Sequence, residues 1–405
     1  MRSGWLQCVV VASSLFLLAS CGSSSKSAFV YLVSQGTTPG IVTAYKVNLR
    51  SGVLNSSNGA LVQTGNAVKA GTQPTVLLFD PTSSFAYTAN FGSNDISVFT
   101  ANKDGSLAAA AATTPLTNAA RPSALAMDPG AHFLFVANQG LAATLTNPVA
   151  IPGNVSVFAI GSGGALTEVA GSPFGIEETS PPLPFNTVAP FPSGVAVSHQ
   201  GNFVYVADQA NNAVVSFSFD STSGALTPIA EGCAQCFGVV VGTGPSAILS
   251  PPAGDFLYVA NSSSNDIFEF AINPNDGTLS PIMAKTTTIA AGVGPIAMTT
   301  DPAAKYLYSL ANGGSQVTGF TLNQVTGELG AISGAGTVGQ TVSTGANPVA
   351  FTLRSDDSLD GNFWLFVSNN GGSSISTYSM QGTTGKLTAL PQLTSPLAPY
   401  GIGSR

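Results

Sequence analysis

The chain is short of charge. Only 8% of its 405 residues are Asp, Glu, Lys or Arg, against about a quarter in ordinary soluble domains, so Ser, Thr and Asn must supply most of the polar surface. Basic residues are the scarcer kind, 12 against 19 acidic ones, for a formal charge of −7. That balance excludes the basic footprint that nucleic-acid binding needs and offers no patch for anionic headgroups. With two histidines, His132 and His199, neither a histidine metal cluster nor a Ser-His-Asp triad has support, and no cofactor is expected. Four cysteines are too few for a disulfide scaffold, so a hydrophobic core must hold the fold. Long apolar runs are missing too: residues 6–19 form an N-terminal run of 14, below the roughly 18 that a membrane span requires.

What is present at the N-terminus reads as an export signal. Arg2 supplies a short positive region, the apolar run follows, and it closes on Leu18-Ala19-Ser20-Cys21. This ending resembles the bacterial lipobox, in which small residues admit the peptidase and the cysteine carries lipid. The alternative, an uncleaved anchor, fits the short run and its small residues less well. Residues 1–20 are therefore expected to leave as a lipoprotein signal peptide, with Cys21 lipidated and 21–27 acting as a flexible tether. The mature protein is then held on a bacterial membrane without spanning it, at the outer membrane or a periplasmic face. Cleavage removes one Arg and deepens the acidic excess to −8.

Beyond residue 27 the chain repeats itself. Glycine (45) and proline (26) are abundant, and an aromatic-led run recurs at Phe29, Phe85, Phe133, Phe203, Phe256, Tyr306 and Trp364, most often ending in Asn or Asp. Such runs read as strands entering turns. A short return strand ending in an aromatic follows each, at Tyr45, Phe99, Phe158, Phe217, Phe270, Phe320 and Tyr378. A Gly-x-Leu step then opens another strand, from Gly52 to Gly385 at a mean spacing of 55.5 residues. A fourth strand begins at each of Pro74, Pro122, Pro192, Pro245, Pro295, Pro348 and Pro399, where no ladder donor is yet needed. Seven units of four antiparallel strands predict an all-β, seven-bladed propeller over 28–405. The chain starts on a second strand and stops after a first one, so the C-terminal strand should complete the N-terminal blade and close the ring. An open solenoid would need no such complementary ends.

Propeller geometry places one mouth of the central channel beside the loops that follow the second strands and those that enter the first strands. Asn90, Asn138, Asp208, Asn261, Asn312 and Asn369 are expected there, together with Arg121. Turn geometry accounts for most of the asparagines, while Asp208 and Arg121 stand out by their charge. The interval from Phe133 to Phe203 is the longest, 70 residues, with its excess in 139–153 and 172–191. These loops bring Phe174, Glu177, Glu178, Phe185 and Phe191 toward the mouth as a candidate lid. Arg121, Asn138, Glu177, Glu178, Asp208 and Asn261 thus form the candidate ligand-binding set. His132 and His199 fall in turns on the opposite face. Cys233 and Cys236 lie in a loop between the fourth and fifth blades, where an oxidising compartment favours a local disulfide over free thiols. Residues 356–361, Asp-Asp-Ser-Leu-Asp-Gly, have oxygen ligands suited to calcium but sit where an Asp-Gly turn is expected, so no metal is assigned.

The blade pattern resembles the lactonase-type seven-bladed propellers, the family of 6-phosphogluconolactonase and the carboxymuconate-cyclising enzymes, and the related YVTN surface-repeat proteins. The resemblance covers nearly all of the chain after Ser27. In catalytic members it implies histidines where one first strand begins, an Asp turn carrying an arginine, and an Arg-His pair and a Glu from the next blade. Here the first strand opens as Pro192-Ser193-Gly194, the turn reads Asp208-Gln209-Ala210-Asn211-Asn212, and the next blade has Gly244-Pro245-Ser246 and Asn261-Ser262. Only Asp208 carries over, as the one weak catalytic candidate. Lactone opening needs a base for water and donors for the oxyanion. The sequence therefore points to a non-catalytic binding module at the cell envelope, whose partner is an envelope protein, a glycan or a small molecule. The alternative is a lactone hydrolase of altered active site, with Asp208 or a lid glutamate as base and Arg121 beside the oxyanion.

Overall fold

A computed structural model describes residues 27–57, 60–110, 113–142, 150–176, 189–231, 238–282, 289–332, 339–355 and 361–405. Each aromatic-led run is the second strand of a blade, for example Phe85–Asn90, Phe203–Asp208 and Phe256–Asn261. It lies between a proline-initiated first strand and a seven-residue third strand, all antiparallel, as in blade 4: Pro192–Val197, Phe203–Asp208, Ala213–Phe219. The same order recurs in seven sheets. Both faces of these second strands are covered, because blades pack face to face. In Ala28–Ser34, Val30 and Leu32 enter one core with Trp364 and Phe366, while Phe29, Tyr31 and Val33 enter another with Leu77 and Phe99. Two-sided burial is why the runs read as nearly continuous apolar stretches.

The two strongest sequence motifs are halves of one contact. A Cβ on the Gly of any Gly-x-Leu step would come under 3.0 Å from the leading aromatic of the preceding blade: Phe29 on Gly105, Phe85 on Gly164, Phe133 on Gly224, Phe203 on Gly277, Phe256 on Gly327, Tyr306 on Gly385 and Trp364 on Gly52. Gly52 also has φ +66°, a left-handed conformation that penalises a side chain in addition to the lack of room. The Trp364 contact links blade 7 to blade 1, and the indole Nε1 donates to the Leu49 carbonyl at 2.9 Å. Two residues along the second strand, the hydroxyls of Tyr87, Tyr205, Tyr258 and Tyr308 donate to the carbonyls of Gly164, Gly277, Gly327 and Gly385. Burial pushes all four hydroxyls above their ordinary pKa, so they remain protonated donors.

Ring closure follows the phase of the repeat. Pro399–Ser404 pairs antiparallel with Ala28–Ser34, Ile402 opposite Leu32, and supplies the innermost strand of blade 1. Arg405 extends the pairing: its N–H donates to the Phe29 carbonyl and its carbonyl accepts from the Phe29 N–H. The outermost strand differs from the single one expected. In blades 2 to 7 the Gly-x-Leu step gives only a three-residue strand, such as Leu279–Pro281, and a second short segment, such as Ile289–Ala290, pairs with the other end of the same third strand. The third strand offers seven residues of edge. Three cannot cover it, so the chain leaves and returns.

Candidate functional site

The first strands surround a central channel of about 840 Å³, within the size range of small-molecule sites. Its wall is built from a recurring irregularity. Each proline opposes the last residue of its second strand, and the register then slips by one residue, as between Pro192 and Gly194. The slip leaves the proline carbonyl without a ladder partner. In all seven blades a side chain from the preceding blade supplies the donor. Gln35 Nε2 reaches Pro74 O at 2.9 Å, Thr75 Oγ1 reaches Pro122 O at 3.5 Å, Ser123 Oγ reaches Pro192 O at 2.9 Å and Ser193 Oγ reaches Pro245 O at 2.7 Å. Ser246 serves Pro295, Asn312 serves Pro348 and Asn370 serves Pro399. A closed belt of side-chain hydrogen bonds thus ties blade to blade around the channel.

The belt places the residue after each proline on the channel wall. These are Thr75, Ser123, Ser193 and Ser246 in blades 2 to 5, and Ile296, Val349 and Tyr400 in blades 6, 7 and 1. At the rim stand Gln35, Gln73, Phe91, Gln139 and Gln209. No Asp, Glu, His, Lys or Arg occurs among the described residues lining the channel.

The asparagine ring lies behind this wall. Asn90, Asn138, Asn261 and Asn369 are fully buried and Asp208 is 2% exposed, which corrects their expected place on the mouth surface. The physical reason is strand alternation: at the end of the second strand, one side chain turns into the blade and the next turns out. Asn138 Nδ2 donates to Asn154 Oδ1 and Ser156 Oγ, and Asn261 Nδ2 donates to Asp266 Oδ1. The Asp208 carboxylate accepts from the Phe191 and Ala210 N–H groups and from Asn211 Nδ2, at 2.9, 3.1 and 2.6 Å. Three donors and burial make it a staple for its turn, and it is not among the residues that line the channel, where a general base would have to stand. The residues that do face it are the next ones in the chain, Gln139 and Gln209, and only the alternation signals them in the sequence. Asn312 serves the belt.

Arg121, expected at the mouth, is not among the residues that line the channel. Its N–H donates to Asn94 Oδ1 at 2.8 Å, its φ is +57°, and its guanidinium lies 5.7 Å from the ring centre of Phe91, which lines the channel. A left-handed conformation before proline is strained, and the Asn94 bond holds it. Phe191 keeps its place before Pro192, its carbonyl accepting from the Gln209 N–H. Phe174 does not reach the mouth: it pairs with Val155 on the outer edge of blade 3 and packs on that blade's core. A phenyl ring gains more from burial in a core than from a wet rim. Glu177, Glu178 and Phe185 lie outside the described residues, as do Cys21, Cys233, Cys236 and 356–360. The histidines occupy turns before second strands, His132 beside Asp128 at 3.5 Å and His199 beside Asp255 at 3.3 Å, away from the mouth.

Two glutamates between blades escaped the sequence reading: Glu269 is buried within the return strand Asp266–Ile272, where attention fell on the aromatic Phe270, and Glu231 is half-buried in the loop that follows the short strand Leu226–Pro228. Glu231 accepts from Ser216 and from the Leu279 N–H of the next blade. Glu269, 7% exposed, accepts from the Leu329 N–H at 2.6 Å. Burial is the main cause of their raised pKa values, Glu269 to about 7. Their position between blades gives them a structural task, remote from the channel.

Comparison with known proteins agrees with this architecture. A candidate 6-phosphogluconolactonase from Bacteroides fragilis has 18% identity and a TM-score of 0.71, over 95% of this chain and 99% of that one. The periplasmic gluconolactonase PpgL of Pseudomonas aeruginosa has 16% identity and a TM-score of 0.68, over 93% and 99%. At such identities these likenesses show the fold alone. In sequence, a 6-phosphogluconolactonase from Bacillus subtilis is 24% identical over 264 residues, 64% of this chain and 67% of that protein. The family model described as lactonase, 7-bladed beta-propeller, matches residues 16–122, 110–242 and 233–351, and with most of the chain so matched, this protein belongs to the lactonase family of seven-bladed β-propellers.

Proposed function

We propose that this propeller binds a small molecule in the mouth of its channel and does not turn it over, acting at the cell envelope while held to a membrane by lipid on Cys21. The observation that carries the reading is the channel wall: amides and hydroxyls at the rim, apolar side chains below, and no ionisable acid–base group other than the Tyr400 phenol among its described residues. Lactone opening at neutral pH needs a base near the attacking water and donors for the oxyanion. At the positions where catalytic relatives carry histidine and arginine, this chain has Ser193, Gly194, Gly244 and Ser246.

Family membership and the likeness to a 6-phosphogluconolactonase favour a second reading, lactone hydrolysis from an altered site. Arg121, strained and set over the channel-lining Phe91, is its electrophilic candidate. The purified protein, assayed in a pH-stat against sugar and aromatic lactones, decides between them. The binding reading expects no turnover, with saturable thermal stabilisation by a small molecule that Gln209→Ala abolishes. Turnover above the buffer rate that is lost in Arg121→Ala or Gln209→Ala would establish the hydrolase. The anchor is tested in cells, where Cys21→Ser should move the protein from the membrane to the soluble fraction; unchanged membrane association refutes it.

A further inference from the structure

The channel has two unlike sides. The four glutamines among its described lining residues belong to blades 1 to 4: Gln35 after the second strand of blade 1, Gln73 before the first strand of blade 2, and Gln139 and Gln209 after the second strands of blades 3 and 4. The opposite wall differs at the residue after the proline, Ile296 in blade 6 and Val349 in blade 7 where blades 2 to 5 carry Thr or Ser; below that level apolar side chains line every blade, from Leu77, Leu125 and Val195 to Ile248, Met298 and Phe351. Resting on the reading of the mouth as a small-molecule site, we infer that its ligand is an uncharged molecule with one hydroxylated edge and one apolar ring face, and that Gln139 and Gln209 select the hydroxylated edge.

Hydrogen-bond accounting supports both halves. Gln35 gives its N–H to the belt at Pro74, whereas the Gln139 and Gln209 amides have no hydrogen bond to a described residue. Each offers two donors and an acceptor, the combination that a hydroxyl matches and a purely accepting anion does not. The wall hydroxyls of Ser123, Ser193 and Ser246 donate to proline carbonyls. They are left with lone pairs only, so toward the channel they accept from a ligand O–H. A phosphate or carboxylate would meet those lone pairs, lose its hydration, and find no counter-charge on the wall. Arg121 does not line the channel; its guanidinium is set over the Phe91 ring. On the far side, branched and aromatic side chains cover the face of a ring and gain by excluding water from it.

The test is calorimetric titration of the purified protein with three probes: 4-nitrophenyl β-D-glucoside, 4-nitrophenyl phosphate and glucose. The glucoside carries both a hydroxylated and an apolar part, and should bind at least about ten-fold more tightly than either comparator. Gln139→Ala and Gln209→Ala should each weaken it about ten-fold with no change in Tm, since neither amide supports the fold. Gln35→Ala, which breaks the belt, should lower Tm instead. Absence of glucoside binding, or phosphate binding as tight as the glucoside's, overturns the inference. Phosphate binding that the glutamine variants abolish would leave the mouth reading standing. Glucoside binding indifferent to both variants would overturn the mouth reading as well.

Discussion

At the scale of single residues, charge in this protein is rare, and several of its aspartates are bound into turns. Asp80, Asp128 and Asp301 each accept several backbone N–H groups in the turn before a second strand, as Asp208 does after one. Glu269 is the exception with a consequence for pH. Buried between blades, with the Glu328 charge adding to the effect, its carboxyl holds a proton up to about pH 7 in the fold, against an ordinary value of 4.5. The folded state therefore binds more protons than the unfolded chain between those values, and stability falls as pH rises from about 4.5 to about 7. Glu269→Gln keeps an acceptor for the Leu329 N–H, as Gln340 does for Leu387 in the next blade. Urea unfolding should show the variant more stable than wild type at pH 8 by roughly 1–2 kcal/mol, after discounting for screening, and level with it near pH 4. Parallel pH profiles would exclude this role. The residue scale is also where sequence reading slipped by one position. Asn138 and Asp208 attract attention by their recurrence and charge, yet a strand alternates its faces, and the channel belongs to Gln139 and Gln209.

At the scale of elements, the first strands do two jobs at once, lining the channel and carrying the belt that joins the blades. A bulge after each proline frees one carbonyl, and the preceding blade supplies a hydroxyl or amide to satisfy it. Removing one donor leaves that carbonyl unpaired beside the channel. Ser193→Ala should therefore cost about 1–2 kcal/mol, whereas Ser218→Ala, whose third-strand hydroxyl donates to the Thr227 carbonyl in a solvent-exposed bond, should stay within about 0.5 kcal/mol. Chemical denaturation of the two variants measures the difference; equal losses would mean that the belt adds nothing. The recurring prolines were legible as strand starts. Their carbonyls were not, since nothing local to Pro192 reveals that its acceptor is met by Ser123, 69 positions earlier.

At the scale of the whole molecule, closure is what turns seven similar sheets into one cooperative body. Every blade interface uses the same aromatic-on-glycine contact, and the last of them, Trp364 on Gly52, joins the two ends of the array. Pro399–Ser404 and Arg405 then complete blade 1, with the Arg405 guanidinium donating to the carbonyls of Ser83 and Asn102 in blade 2. Deleting 399–405 removes the innermost strand of that blade, exposing the edge of Ala28–Ser34 and the faces of two neighbours. Scanning calorimetry should show one sharp transition for the full chain and a broadened transition at least about 10 °C lower for the deletion, as several kcal/mol of burial are lost. A deletion variant that still melts sharply at the original temperature would mean that closure is dispensable.

By itself the sequence determined the number of blades, the phase of the repeat and the position of every second strand, because aromatic and β-branched alternation, proline and Gly-x-Leu act within a few residues of themselves. It also determined the mate of the C-terminal strand, since a chain that starts on a second strand and ends on a first leaves one pairing open. Tertiary structure alone decided why each glycine in that step must be a glycine, which carbonyls the belt serves, and which side chains face the channel. Those depend on contacts between residues commonly 50 to 80 positions apart, and a face is assigned only once neighbouring blades are in place to bury the other one.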